Sequence, residues 1–243
     1  MSIPKACCTL PPVVSNYEPK GNKAKVEDFE YYIIGEEHKK TIFCCYDIFG
    51  FHNNTLQFVD LLSQAGYRVI VPDFFRGKPW SLDNFPPKNY QELKQWGFVD
   101  NNWENRVYKD LQVLIKHFNI DTEKDQTGII GFCWGGKMVV EALKLSKPIF
   151  KAGAALHPAA LTEQDFKEIN YPFLFIPTKD ESEIIPFFDQ IKPSALTQSE
   201  KHEFTQTFHG FAAARGDFTN EENRKLTTDA INITATFFSK HLV

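Results

Sequence analysis

Short, continuous apolar runs alternate along this chain with longer runs in which apolar residues recur every three or four positions. The first kind suits a strand buried on both faces, the second a helix packed along one side. "TIFCCYD" (residues 41–47) predicts a strand. "NNTLQFVDLLSQAG" then predicts a helix capped by Asn53 or Asn54 and ended by Gly66. "RVIVPD" (68–73) predicts a second strand. In "WENRVYKDLQVLIKHF" the residues Trp103, Val107, Leu111, Leu114, Ile115 and Phe118 share one face at helical spacing. "TGIIG" then reads as a strand, "GKMVVEALKLS" as a helix, and "FKAGAALH", "PFLFIP" and "EFTQTF" as three further strands. A closing helix over about 221–240 would bury Leu226, Ala230, Ile233 and Phe237.

Strands alternating with helices imply a mostly parallel central sheet with helices on both faces. Two segments fall outside the alternation: an N-terminal arm over residues 1–25, and a Pro- and aromatic-rich excursion over about 74–100. A loop as long as the excursion is usually a lid or a substrate-binding loop. With 243 residues, 42% of them apolar, the chain can bury one full core, so one domain spanning residues 1–243 is expected. A net charge of −4 without long runs of either sign gives no footprint for nucleic acid or an anionic membrane. No leader pattern or apolar run near the ~18 residues of a membrane span is present. A cytoplasmic protein is expected, with the nucleus also open. The five cysteines (Cys7, Cys8, Cys44, Cys45 and Cys133) form no disulfide framework and no zinc-ligand spacing, so neither metal nor cofactor is expected. Cys44 and Cys45 read as buried small hydrophobes. Oligomeric state leaves no trace in the pattern.

Parallel sheets bind ligands beyond the carboxyl ends of their strands. Asp47, Asp73, Cys133, His157, Asp180 and His209 all stand at such ends. Cys133 sits in Gly131-x-Cys133-x-Gly135 between a strand and a helix, the nucleophile-elbow pattern with cysteine in place of serine. Glycines at both flanks let strand and helix backbones approach. The helix N-terminus favours a thiolate, and the Trp134 N–H can face a developing oxyanion. A nucleophile needs a base and a group to orient it. Asp180 and His209 follow Cys133 in the order nucleophile, acid, histidine. Glu181 and Glu183 are the rival acids, and His157 the rival base.

"DIFG" (47–50), "GFCWGG" (131–136), "KDESEIIP" and "HGFAAARGD" together resemble the dienelactone hydrolase family, nearest in character to its animal and fungal carboxymethylenebutenolidase-like members. The resemblance runs from about Phe29 to the C-terminus. It implies an α/β-hydrolase fold, a triad of Cys133, Asp180 and His209, and cleavage of a small ester or lactone through a thioester. It implies Ile48 as the second oxyanion donor beside Trp134. Bacterial members carry a glutamate where Asp47 stands, and its carboxylate holds the resting thiol's hydrogen bond until substrate binds; the resemblance implies Asp47 as the gating carboxylate, one methylene shorter, with altered gating or a plain loop cap as the alternatives. Those enzymes also hold a substrate carboxylate with arginines. Arg76 and Arg215 are the candidates here, with Phe49 and Trp134 beside them, although Arg215 would serve equally as a salt-bridge partner of Asp217. Two other readings stay open: a redox-responsive or small-molecule-binding protein on a hydrolase scaffold, and a thioesterase or acyltransferase.

Overall fold

The computed structural model describes residues 9–243, so Cys7 and Cys8 lie outside the described residues. Its strands are β1 (Asn22–Val26), β2 (Phe29–Ile34), β3 (Lys40–Cys45), β4 (Tyr67–Pro72), β5 (Thr127–Phe132), β6 (Ala152–Leu156), β7 (Phe173–Ile176) and β8 (Glu200–Lys201). Between them run α1 (Asn53–Ser63), α2 (Tyr90–Gln95), α3 (Tyr108–His117), α4 (Trp134–Leu143), α5 (Glu163–Lys167) and α6 (Pro193–Leu196), and α7 (Glu221–His241) closes the chain. The strands form one eight-stranded sheet in the order β1-β2-β4-β3-β5-β6-β7-β8. β2 pairs antiparallel with both β1 and β4, and every pairing from β4 through β8 is parallel. The central strands are largely apolar because helices cover both faces; β5 is buried at every position.

Three local expectations change. His52, not Asn53 or Asn54, caps α1: its Nδ1 accepts the Asn54 N–H at 3.3 Å, which frees Asn53 and Asn54 to reach outward with their side-chain amides. "EFTQTF" is not a strand. β8 ends at Lys201, and only a single bridge, Thr178 to Phe204, continues the pairing before the chain turns. α7 buries Thr227, Ala230, Ile231, Thr234, Phe237 and Phe238, so its inward face is rotated from the one expected, with Leu226 and Ile233 only partly covered.

The described part of the N-terminal arm is bound rather than loose. Asp60, 1% exposed on α1, accepts hydrogen bonds from the Tyr17 hydroxyl (2.7 Å), the Lys20 N–H (2.8 Å) and the Tyr32 hydroxyl (2.5 Å). Burial, with the Asp60 carboxylate beside them, pushes both tyrosine hydroxyls above their ordinary range, so both stay protonated and donate. Asp60→Ala strands these donors, and chemical denaturation is expected to show a loss of about 3 kcal/mol. Asp60→Asn, which keeps an acceptor, should lose less.

The excursion is stapled by aromatic contacts. Phe75 packs on Trp96 (4.5 Å between ring centroids) and on Trp134 (4.8 Å), and Trp80 packs on Trp96 (5.5 Å). The Trp134 indole N–H donates to Gly97 O at 2.6 Å, joining the excursion to the start of α4.

Candidate active site

Strand β5 ends at Phe132, and Cys133 turns the chain into α4 with φ +53° and ψ −111°. For a residue with a side chain this is strained backbone, which persists only where surrounding structure enforces it. The enforcement is visible. The Cys133 N–H donates to Leu156 O (3.2 Å), the Cys133 carbonyl accepts from Ala159 N–H (2.9 Å), and Gly135 N–H donates to Tyr46 O (3.2 Å). A Cβ on Gly131 would lie 2.1 Å from Gly135 O, and one on Gly135 would lie 2.0 Å from Cys45 O. The two glycines are therefore fixed by close backbone approach, as the elbow pattern requires. The N–H groups of Ile48 and Trp134 have no hydrogen-bond acceptor among the described residues. Both lie at this carboxyl edge of the sheet, one after β3 and one after β5.

His209 and the carboxylate that faces it come from the next turns along the same edge. His209 is fully buried, and its Nδ1 lies 2.6 Å from Glu181 Oε1. Glu181, 2% exposed, uses its other oxygen, Oε2, to accept from the Thr178 N–H (2.8 Å) and hydroxyl (2.7 Å). That is a capping box at the start of the 3₁₀ segment Lys179–Gln190. One carboxylate thus fixes the turn after β7 and faces the imidazole. The carboxylate at the ring is Glu181, where Asp180 was expected. Asp180 is only part-buried, and its Oδ2 accepts from the backbone N–H of His209 at 2.8 Å, bracing the histidine's loop instead of its ring. The two residues are adjacent, and only the turn decides which side chain points at the ring. The signal that distinguishes them was in the sequence: Thr178-x-x-Glu181 is a capping-box pattern. Glu183 is exposed and does not compete.

His157, at the end of β6, is also fully buried, with its ring centroid 5.0 Å from that of His209 in an edge-on arrangement. It does not stand where a base would receive an orienting carboxylate.

Arg215 is 1% exposed and comes back to the histidine: it fills the space where a Cβ on Gly210, at φ +95°, would stand. Its guanidinium lies over Phe49 (5.1 Å) and Phe85 (5.8 Å), and its Nε donates to the Leu10 carbonyl of the arm. Asp217 accepts from Thr219 and Asn220 in its own turn. Arg76 is a second correction. It forms two-pronged ion pairs with Asp110 (2.7 and 2.8 Å) and Asp28 (3.1 and 3.1 Å) over the Phe29 ring, so its charge is committed within the fold. Trp134 is fully buried with its indole N–H on Gly97, which makes its side chain an anchor for the excursion.

Asp47 is buried. Its Oδ1 accepts from Phe49 N–H (2.9 Å) and its Oδ2 from Ala214 N–H (3.1 Å), linking the Ile48 turn to the histidine loop. Burial pushes the Cys44 and Cys45 thiols up from their ordinary range, so both are inert core residues. Among the described residues no cluster of side chains has the makings of a metal site, and no helix is long and apolar enough to cross a membrane.

Comparison with known proteins gives the family and the fold. The family model for the dienelactone hydrolase family matches residues 29–242. The chain is 28% identical over 225 residues to a carboxymethylenebutenolidase homolog of Xenopus tropicalis, covering 88% of each. It is 27% identical over 205 residues to the human homolog, covering 80% of each. Among solved structures it superposes on a dienelactone hydrolase-like promiscuous phosphotriesterase from metagenomic libraries (TM-score 0.67, 14% identity, 92% of this chain and 99% of that one). It also superposes on the esterase Pf2001 of Pyrococcus furiosus (TM-score 0.62, 16% identity, 96% and 99%). With the α/β-hydrolase fold, the cysteine elbow and a family match over residues 29–242, the chain belongs to the dienelactone hydrolase family, and with it to the hydrolases.

Proposed function

We propose that the protein hydrolyses a small carboxylic ester or lactone through a thioester on Cys133, with His209 as base and Glu181 as the acid that orients it. The observation that carries this reading is the buried 2.6 Å contact between Glu181 and His209 Nδ1, on the sheet edge where the Cys133 elbow turns. A carboxylate on Nδ1 fixes the imidazole tautomer and leaves Nε2 as the ring atom for proton transfer.

In the first half-reaction the Cys133 proton passes to His209, the sulfur attacks the carbonyl carbon, and the negative charge on oxygen is met by the N–H groups of Ile48 and Trp134. As the tetrahedral centre collapses, the carbon–oxygen bond of the ester breaks. The leaving alkoxide takes the proton from His209. Water, deprotonated by His209, then attacks the thioester; the acid departs and the thiol is restored. Asp47 keeps the Ile48 turn and the histidine loop at fixed spacing. Gating of the thiol by Asp47 would have one carboxylate oxygen serve a second donor beside its backbone N–H, which a carboxylate can do.

An anionic substrate is the class this reading favours. A buried guanidinium over the Phe49 and Phe85 rings keeps a positive charge beside the histidine loop, and the carboxymethylenebutenolidase name of the relatives supports an anionic substrate. Cytoplasmic placement and the absence of a nucleic-acid or membrane partner remain part of this reading.

The test is rapid quenching with p-nitrophenyl acetate followed by intact-mass and peptide mapping. The expected result is an acetyl adduct of Cys133 that forms and decays within the turnover time. An adduct that forms once and persists would instead favour a binding or redox role, and steady turnover with no adduct would overturn the thioester.

A further inference from the structure

His157 is buried with 0% exposure, yet neither ring nitrogen has a hydrogen-bond partner among the described residues. Two unpaired polar atoms cost about 1–3 kcal/mol each, which a phenyl ring of similar shape would avoid. The surroundings would accept a phenyl: besides His209, the ring contacts Phe132 (5.9 Å) and Phe211 (5.8 Å). The backbone is strained as well, at φ +38°. It is held there by the His157 N–H on Ile176 O (2.8 Å) and by Ala159 N–H on the Cys133 carbonyl (2.9 Å). A costly side chain in a costly conformation, edge-on to His209, calls for a polar role at that ring.

We propose that His157 is a positioning residue of the catalytic centre: a neutral imidazole whose uncommitted ring nitrogen solvates the imidazolium that His209 becomes on taking the Cys133 proton. This rests on Cys133 and His209 being the reacting pair. The proton moves only from Cys133 sulfur to His209; His157 neither gains nor loses one. The charged and titratable groups around the two rings fit. Glu181 faces His209 Nδ1 from the turn after β7, and Asp180 holds the His209 backbone. Arg215 lies against Gly210 on the histidine loop. Asp47 reaches that loop at Ala214 from the turn after β3, with His52 close enough to feel its charge. Burial, with His209 and Arg215 adding to it, holds His157 well below the ordinary histidine range, so it stays neutral while His209 cycles. Because no partner fixes its tautomer, the lone pair can face His209 and the N–H can point away.

The test uses the full chain and compares wild type with His157→Phe and His157→Gln. The pH dependence of iodoacetamide alkylation is read at Cys133 by peptide mapping. Losing the ring nitrogens destabilises the imidazolium, so the alkylation midpoint in His157→Phe should rise by about one pH unit, a roughly tenfold loss of thiolate below it. Its melting temperature should be equal or higher. His157→Gln, which keeps a donor and an acceptor, should retain the wild-type midpoint more closely. A folded His157→Phe with an unchanged midpoint overturns the proposal. Histidine ¹⁵N NMR of the wild type keeps the idea testable should that variant not fold: His157 should remain neutral from pH 5 to 9 while its shifts respond to His209, and a protonated His157 near pH 6 would overturn it. These readouts need no turnover, so they are separate from a failure of the thioester reading, which would show as activity surviving without Cys133.

Discussion

Replacing Cys133 with alanine should lower p-nitrophenyl acetate turnover by about 10⁴-fold or more while the protein stays folded, because only the nucleophile is removed. The fold is expected to survive for a specific reason. The residue sits at φ +53°, and alanine meets the same backbone strain there as cysteine, so the substitution neither adds nor relieves it. The buried volume lost is one sulfur atom, against an elbow held by backbone hydrogen bonds to Tyr46, just after β3, and to Leu156 of β6. Circular dichroism and the melting curve should therefore change little while kcat falls. Turnover close to wild type in a folded Cys133→Ala protein would remove the cysteine from the mechanism.

The second large effect separates two neighbouring carboxylates. Glu181→Gln is expected to lower kcat by about 10³-fold or more, since an amide opposite Nδ1 neither stabilises the imidazolium nor enforces the same tautomer. Asp180→Asn should cost about tenfold or less, because an asparagine carbonyl can still accept the His209 backbone N–H that Asp180 holds at 2.8 Å. The contrast lies in kcat, with KM moving little in Glu181→Gln. Glu181→Gln also keeps a carbonyl oxygen for the Thr178 cap, so a loss of activity without a comparable fall in melting temperature would assign the effect to the histidine. The reverse ranking, Asp180→Asn the more damaging, would restore Asp180 as the acid.

How far the sequence reached depends on the kind of signal each element left. The elbow was legible because glycine spacing reports backbone approach directly, and Gly131 and Gly135 have no room for a Cβ. The parallel core was legible because β3 through β7 each hold a short apolar run. β1, "NKAKV", is solvent-facing at all but one position and carries no apolar period, so nothing in its composition marks it as a strand; it exists by pairing with β2. The carboxylate at the imidazole lies one residue beyond Asp180 because chain order gives the strand end, whereas side-chain direction is set by the turn that the Thr178–Glu181 cap builds. Arg76 was misjudged because a charge near a candidate loop looks the same in sequence whether it faces ligand or two aspartates. The docking of the arm was out of reach altogether: its contacts are single polar bonds between residues far apart in the chain.

One of those bonds has a consequence for how the protein is made. The Leu10 carbonyl that receives Arg215 Nε is separated from it by 205 positions in sequence. At a synthesis rate of about 5–20 residues per second, the arm leaves the ribosome roughly 10–40 s before its partner exists. The clasp on the histidine loop, and with it the final placement of Arg215, is therefore an event that follows elongation, so a nascent chain stopped short of residue 215 has its elbow cysteine but no closed site around it.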